Sequence, residues 1–231
     1  RRPLVALKAG MSLDGRIGTG TGLDRGITGA VSAEFGQRLR LEMDAILVGV
    51  NTILADNPRL TYRGASPRRR PLCRVILDSR LRTPPTARVL QGAPDVPLLV
   101  FCAAEARAAR RLRLEGQGAE VVAVPRRGTG LSLRRVLAEL GKRSLLGVLV
   151  EGGGEVHWRF VRERLADKFY FLIAPIILGG RKSIPCVGGT GYARIARAPR
   201  WAVTGNRKLG EDLLVEAYPR VSRSILSPWR S

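Results

Sequence analysis

Apolar residues in this chain fall into short dense runs separated by helical stripes, a pattern that alternates strand and helix up to about residue 174. The runs Leu4–Leu7, Ala45–Gly49, Arg74–Leu77, Leu98–Cys102, Glu120–Val124 and Val148–Val150 read as strands, and several are apolar on both faces, as in a buried parallel sheet. Val31, Phe35, Leu39 and Met43 recur every four residues and predict a helix over about Ala30–Met43. Further helices are expected over about Ala104–Leu114 and from a capping Ser132 to Leu140. Lys168–Ala174 is an almost continuous apolar strand closed by Pro175. Residues 181–200 then show little periodicity, and Ala202–Thr204 and Leu213–Tyr218 read as the two strands of a terminal hairpin. The expected fold is a single α/β domain over residues 1–218, with a mostly parallel central sheet flanked by helices and antiparallel strands at its C-terminal edge. Residues 219–231 read as a basic, frayed tail.

The sharpest local pattern is Leu145–Leu165. After the buried run, Gly152-Gly153-Gly154 stops the strand, and Val156, Phe160, Val161 and Leu165 then share one helical stripe, so a helix begins at about Gly154. Three glycines at such a junction let the chain turn sharply and leave no Cβ between a ligand and the first helical amides. This is the build of a phosphate-binding strand–turn–helix unit, and Glu151 stands at the strand's carboxyl end, where open α/β sheets collect ligands. Taken alone, a glycine run reads as well as a tight turn, and Glu151 as a solvated strand end.

Other strand ends carry candidate chemistry. The first strand delivers Lys8 at its end, before a turn at Ser12–Gly15, although a lone lysine reads equally as a surface residue. Residues 18–28 read as a flexible glycine-rich loop. Residues 50–63 are mostly polar and read as a loop, with Asp56-Asn57-Pro58 forcing a stop. Asp56, Arg40 and Arg63 would bring one carboxylate and two guanidiniums to a common crevice, as a phosphorylated substrate requires, or else form separate surface ion pairs. Asp78-Ser79-Arg80 ends another strand. In nucleotide folds an acid there accepts the ribose 2′-OH, whereas a hydroxyl beside an arginine favours a 2′-phosphate, so Ser79 and Arg80 lean toward NADP over NAD.

Composition narrows the classes. Forty Lys+Arg against 19 Asp+Glu give +21, which makes nucleic acid the first rival partner. The arginines are dispersed, however, aromatics are only 5%, and no zinc finger or aromatic–basic interleaving occurs, so no specific nucleic-acid partner is expected. Cys73, Cys102 and Cys186 have no paired or metal-like spacing, which fits reduced thiols and a cytoplasmic protein without a metal site. The longest apolar run, Phe169–Leu178, is broken by Pro175 and too short to span a bilayer, so no membrane partner is expected.

Several stretches in order, LKAGMSLDGRI at 7–17, AILVGVNTILADNPRLTYR at 45–63, VILDSRLRTP at 75–84, VEGGGEV at 150–156 and IAPIILGG at 173–180, resemble the reductase domain of the bacterial riboflavin-biosynthesis protein RibD. The resemblance reaches to about Tyr218. It implies a dihydrofolate-reductase-like fold, NADPH as cofactor, and reduction of 5-amino-6-(5-phosphoribosylamino)uracil, a phosphorylated pyrimidine, in a homodimer. Position by position, it assigns Gly153, Gly154, Glu155, Val156 and His157, within the turn and helix start Gly153–Arg159, to NADPH, together with Met11, Thr52, Asp56 and Ser79. Arg40, Leu60, Arg63 and Glu151 would face the substrate, and Lys8 and Asp56, with Glu151, form the catalytic set. His157 reads as a packing or cofactor-side residue rather than a catalyst.

Two departures stand out. The family's tryptophan before the Ile-Thr of the first helix is replaced by Gly26, and Asp24 stands where a neutral hydroxyl contacts the substrate. They keep open a second enzyme reading, the same fold and cofactor acting on a pterin or another imine or carbonyl. The deaminase domain often fused upstream is not expected within these residues, since His157 is the only histidine and no C-x-x-C occurs.

Overall fold

A computed structural model describes residues 1–20, 26–93 and 95–220. Asp24 and most of the expected tail therefore lie outside the described residues. Among the described residues the elements run β1 (Leu4–Ser12), β2 (Arg16–Gly18), α1 (Ala30–Glu42), β3 (Ala45–Gly49), α2 (Val50–Asp56), β4 (Cys73–Leu77), β5 (Leu98–Cys102), α3 (Ala108–Glu115), β6 (Glu120–Ala123), β7 (Arg126–Arg127), β8 (Gly130–Leu131), α4 (Leu133–Lys142), β9 (Gly147–Val150), α5 (Gly154–Arg162), β10 (Lys168–Ala174), β11 (Ile184–Pro185), β12 (Trp201–Leu209) and β13 (Asp212–Pro219). Nine strands form one sheet in the order β12-β13-β10-β1-β9-β3-β4-β5-β6. From β10 to β6 every pairing is parallel, and β13 and β12 add antiparallel to the outer side of β10.

The apolar runs become the sheet's centre because both of its faces are covered. Ala45 and Leu47 of β3 and Val148 and Val150 of β9 point to one face, where Val136 and Leu140 of α4 and Phe160 of α5 cover them. Ile46 and Val48 point the other way onto Ile53 of α2 and Leu114 of α3, while Leu149 meets Phe35 and Leu39 of α1. This period-two division of continuous apolar runs is what a doubly covered parallel sheet demands.

The structure corrects several boundaries. β1 continues to Ser12 alongside β10, so Lys8 lies in mid-strand opposite Tyr170 rather than at a strand end. The small and polar residues of Lys8–Ser12 hide that continuation from a hydrophobic reading. The expected loop at 50–63 begins as helix α2, because Val50 and Ile53, one turn apart, both reach the core. Asn57 closes it in the left-handed region (φ 42°), and Pro58 follows. α3 starts at Ala108, later than expected, and Ser132 occupies the N-cap of α4 without a side-chain capping bond. The terminal hairpin is longer than its apolar residues indicate and runs through Pro219, with the Arg220 N–H donating to the Arg200 carbonyl (2.8 Å). Among the described residues, no helix is long and apolar enough to cross a membrane.

Candidate active site

The carboxyl ends of three adjacent strands, β9, β3 and β4, open onto one cleft of about 530 Å³. Its floor is made by Gly49–Thr52 after β3, Leu77 and Ser79 at the end of β4, and Gly153–Val156 at the start of α5. Gly153 is the N-cap of α5 and has no side-chain capping partner; the Val156 N–H turns back to the Gly153 carbonyl (2.9 Å), which leaves the Gly154 and Glu155 amides to meet an anion. The other glycines are imposed by close approach. A Cβ on Gly152 would stand 2.7 Å from the Cβ of Val156, and one on Gly154 would collide with the carbonyl oxygen of Pro185. The cleft thus has the amide donors and the Cβ-free cradle that a dinucleotide's phosphates need.

A segment around β11 forms one lip, where Ile184, Pro185 and Gly188 line the cleft. Three hydrogen bonds tie this segment to α5: Gly188 N–H to the Gly154 carbonyl (3.0 Å), Gly189 N–H to Glu155 Oε1 (2.9 Å), and His157 Nδ1 to the Cys186 carbonyl (2.9 Å). The last requires the proton on Nδ1. His157 is 1% exposed, packs edge-on to Phe169, and is not among the cleft-lining residues. Burial pushes its pKa below the usual histidine value. Of the two readings the sequence offers for His157, packing or cofactor-side, its burial and its contact with Phe169 agree with packing behind the lip.

Beside the glycine turn lies a cluster of charge. Arg40 of α1 donates from Nε (3.0 Å) and Nη2 (2.8 Å) to the two carboxylate oxygens of Glu151, and from Nη1 to the Thr61 carbonyl (2.8 Å). Both side chains are nearly buried, at 13% and 14% exposure. Burial alone would raise the Glu151 pKa, but Lys8 and Arg40 outweigh it and hold the carboxyl down at about 2. Glu151 is therefore an acceptor, not a proton donor, at neutral pH. Lys8 is half-buried in β1, and its charge acts on Glu151 and His157. Among the described residues no ion pair joins Lys8 to Asp56, another expected catalytic residue.

The remaining candidates separate. Thr52, Asp56, Ser79, Glu155 and Val156 line the cleft, and the exposed Asp56 carboxylate has no hydrogen-bond partner among the described residues. Met11 packs against the core beside it rather than lining it. Arg63 is exposed and its backbone N–H is held by Gln37 Oε1 (2.8 Å), while Leu60 is buried at φ 55°. Of the two alternatives for Asp56, Arg40 and Arg63, Arg40 forms an ion pair of its own, with Glu151, and that pair is nearly buried rather than on the surface. Arg80 does not enter the main cleft but lines a neighbouring basin, which Ser79 shares.

Sequence reasoning missed Arg82, which lines the cleft and donates to Asn51 Oδ1 (2.8 Å), and the lip residues Ile184 and Pro185. Arg82 lies in the stretch that carried the family resemblance, which was the available signal. The lip residues sit in an aperiodic segment and gave none.

Comparison with known proteins places these features. The RibD C-terminal domain family matches residues 3–215. The chain is 38% identical over 217 residues to the 2,5-diamino-6-ribosylamino-4(3H)-pyrimidinone 5′-phosphate reductase of Methanothermobacter thermautotrophicus, covering 93% of this chain and 97% of that protein. It is 34% identical over 218 residues to the riboflavin biosynthesis protein RibD of Bacillus amyloliquefaciens, covering 94% of this chain and 58% of the relative. Among solved structures, RibD of Acinetobacter baumannii superposes with a TM-score of 0.82 at 26% identity, over 95% of this chain and 59% of the other. The chain thus spans nearly the whole of the first relative and about three fifths of the RibD proteins.

Proposed function

Since this chain belongs to the RibD C-terminal domain family, we propose that it is the reductase of a riboflavin-pathway pyrimidine, converting the ribosylamino group of a phosphorylated substrate to ribitylamino at the expense of NADPH. The observation that carries the reading is the cleft at the ends of β9, β3 and β4, with its open α5 amides and the Glu151–Arg40–Lys8 cluster beside it. The cleft suits NADPH: Gly153–Val156 would hold its phosphates, Thr52 and Asp56 would line its path, and Ser79 and Arg80 would meet its 2′-phosphate end. Bound there, it supplies the hydride that reduces the opened sugar carbon.

The chain's own residues manage binding and protons. Arg63 and the backbone around Leu60 offer positive charge and amides to the substrate's phosphate. Glu151, ionised and held by Arg40, accepts hydrogen bonds from sugar or pyrimidine donors and orients them. The ring oxygen must gain a proton as the ribosylamine opens to an imine, and the nitrogen must regain one as the carbon is reduced. Lys8, in the field of Glu151, is the donor to the ring oxygen, and Asp56 orients the reacting end from the cleft side. A second copy of the chain belongs to the same proposal.

Two substrates compete. The resemblance points to 5-amino-6-(5-phosphoribosylamino)uracil, whereas the Methanothermobacter relative bears the name of a reductase of the 2,5-diamino pyrimidinone. Both, prepared enzymatically, are to be offered with NADPH while reduced-nicotinamide absorbance is followed. Turnover of either establishes the reductase, and the higher kcat/KM selects the substrate. Tight NADPH binding without turnover of either overturns the substrate reading.

A further inference from the structure

The basin beside the main cleft has about 440 Å³ of space and is lined by Ser79, Arg80, Glu105, Arg107, Arg110 and Arg126. Ser79 lines both spaces, so a ligand extended along the cleft can place a substituent in the basin. Four arginines and one glutamate thus line it, and the arginines are not equivalent. Glu105 is paired with Arg126. Arg110 Nη1 donates to the Arg80 carbonyl (3.0 Å), which aims its remaining N–H groups and steadies the turn that carries Arg80. The Arg107 side chain has no hydrogen bond or ion pair among the described residues, and it is the N-cap of α3, whose first turn contains no acid. Arg107 and Arg110 stand one turn apart.

The strand-end acid that would read a ribose hydroxyl is withdrawn. Asp78 is fully buried, and its Oδ2 accepts from the Thr83 N–H (2.7 Å) and Thr83 Oγ1 (2.8 Å), closing the 79–83 turn. Discrimination at the ribose therefore falls to the basin. A phosphate monoester there offers three oxygens to guanidinium forks and relieves the repulsion between unpaired arginines. A bare hydroxyl does neither.

We propose that Arg107 and Arg110, at the start of α3, are the residues by which this chain selects a nicotinamide dinucleotide bearing a 2′-phosphate over one without it. This rests on the cofactor reading above. Arg126 contributes less because Glu105 holds it, and Arg80 acts from a turn that Arg110 supports.

The test is a set of binding titrations with NADPH, NADH and adenosine 2′,5′-bisphosphate, on the unaltered chain, on Arg107→Ala/Arg110→Ala, and on Arg113→Ala/Arg134→Ala. The last pair removes the same charge from exposed positions outside the basin. Loss of two charge-assisted contacts should raise the Kd of NADPH and of the bisphosphate about tenfold or more, with NADH changed less than about twofold. The control pair should leave the NADPH/NADH ratio where it was. A ratio that survives in the basin variant overturns the arginine assignment alone, as does an equal loss for NADPH and NADH. An unaltered chain with no preference for NADPH overturns the cofactor reading, and the assignment with it.

Discussion

On the β1–β9 side of the sheet's carboxyl edge, Glu151 and Arg40 are locked together by two hydrogen bonds at 14% and 13% exposure, with Lys8 in β1 adding its charge. On the β4–β5 side, Arg80, Arg107 and Arg110 stand exposed around an open basin. Buried charge of the first kind must be matched at every moment, so a change there reaches both the fold and the chemistry. Solvated charge of the second kind is nearly free to the fold and screened by salt, so it tunes which ligand is preferred. One sheet edge thus separates reactivity from selectivity.

The comparison can be broken most forcefully at Lys8, the proposed proton donor, and Asp56, proposed to orient the reacting end. Lys8→Met and Asp56→Asn should each lower kcat by about 10²–10⁴-fold, with the Kd of NADPH nearly unchanged in Lys8→Met and raised by less than about tenfold in Asp56→Asn, which lines the cleft. Steady-state kinetics beside a cofactor titration checks this, and normal turnover in either variant removes that residue from the mechanism. Glu151→Gln should lower kcat by about a hundredfold and also cost about 2 kcal/mol in denaturant unfolding, because Arg40 and Lys8 lose their counter-charge. Unchanged stability would show that the cluster is solvated like the basin.

The same carboxylate sets an acid limb. Its folded pKa, about 2, is lower than the ordinary 4.5, so its contribution is complete above about 4.5 and is lost as pH falls toward 2. Melting temperature against pH should fall less steeply through this window in Glu151→Gln than in the unaltered chain. Gly154→Ala, which pushes on the Pro185 carbonyl at the cleft lip, should weaken NADPH and NADH alike by about tenfold, unlike any change in the basin. The smallest expected effect is that of salt. Raising it from 0.05 to 0.3 M should weaken NADPH by about threefold relative to NADH and leave the unfolding contribution of Glu151 in place.

What the sequence discloses follows from how local each cause is. The strand, the turn and the helix start of the β9–α5 unit are legible to within a residue because its apolar run, glycine turn and helical stripe are contiguous, whereas α5 ends at Arg162 and Leu165 reaches the core from beyond it, after Arg164 turns the chain at φ 53°. Helix α2 is not, since two buried residues, Val50 and Ile53, define it, and only packing on the sheet distinguishes them from a loop. Lys8 stands out in the sequence but its mid-strand place does not, because pairing with β10 and not hydrophobicity carries β1 to Ser12. At the site, Glu151, Ser79 and Gly153 follow from strand-end position. The partnership of Arg40 with Glu151 joins residues 111 apart in sequence, and the basin gathers arginines from three separate segments, which no local pattern reveals. His157 illustrates the reverse case, a conspicuous lone residue whose burial gives it a tethering task.

The most direct test of the central claim is to follow deuterium from NADPH carrying two deuteriums at the reactive nicotinamide carbon into the pyrimidine product by mass spectrometry. The account predicts one deuterium at the former anomeric carbon, with label transfer abolished in Lys8→Met while cofactor binding persists. Reduced product without label at that carbon, or no product from either pyrimidine, would contradict it.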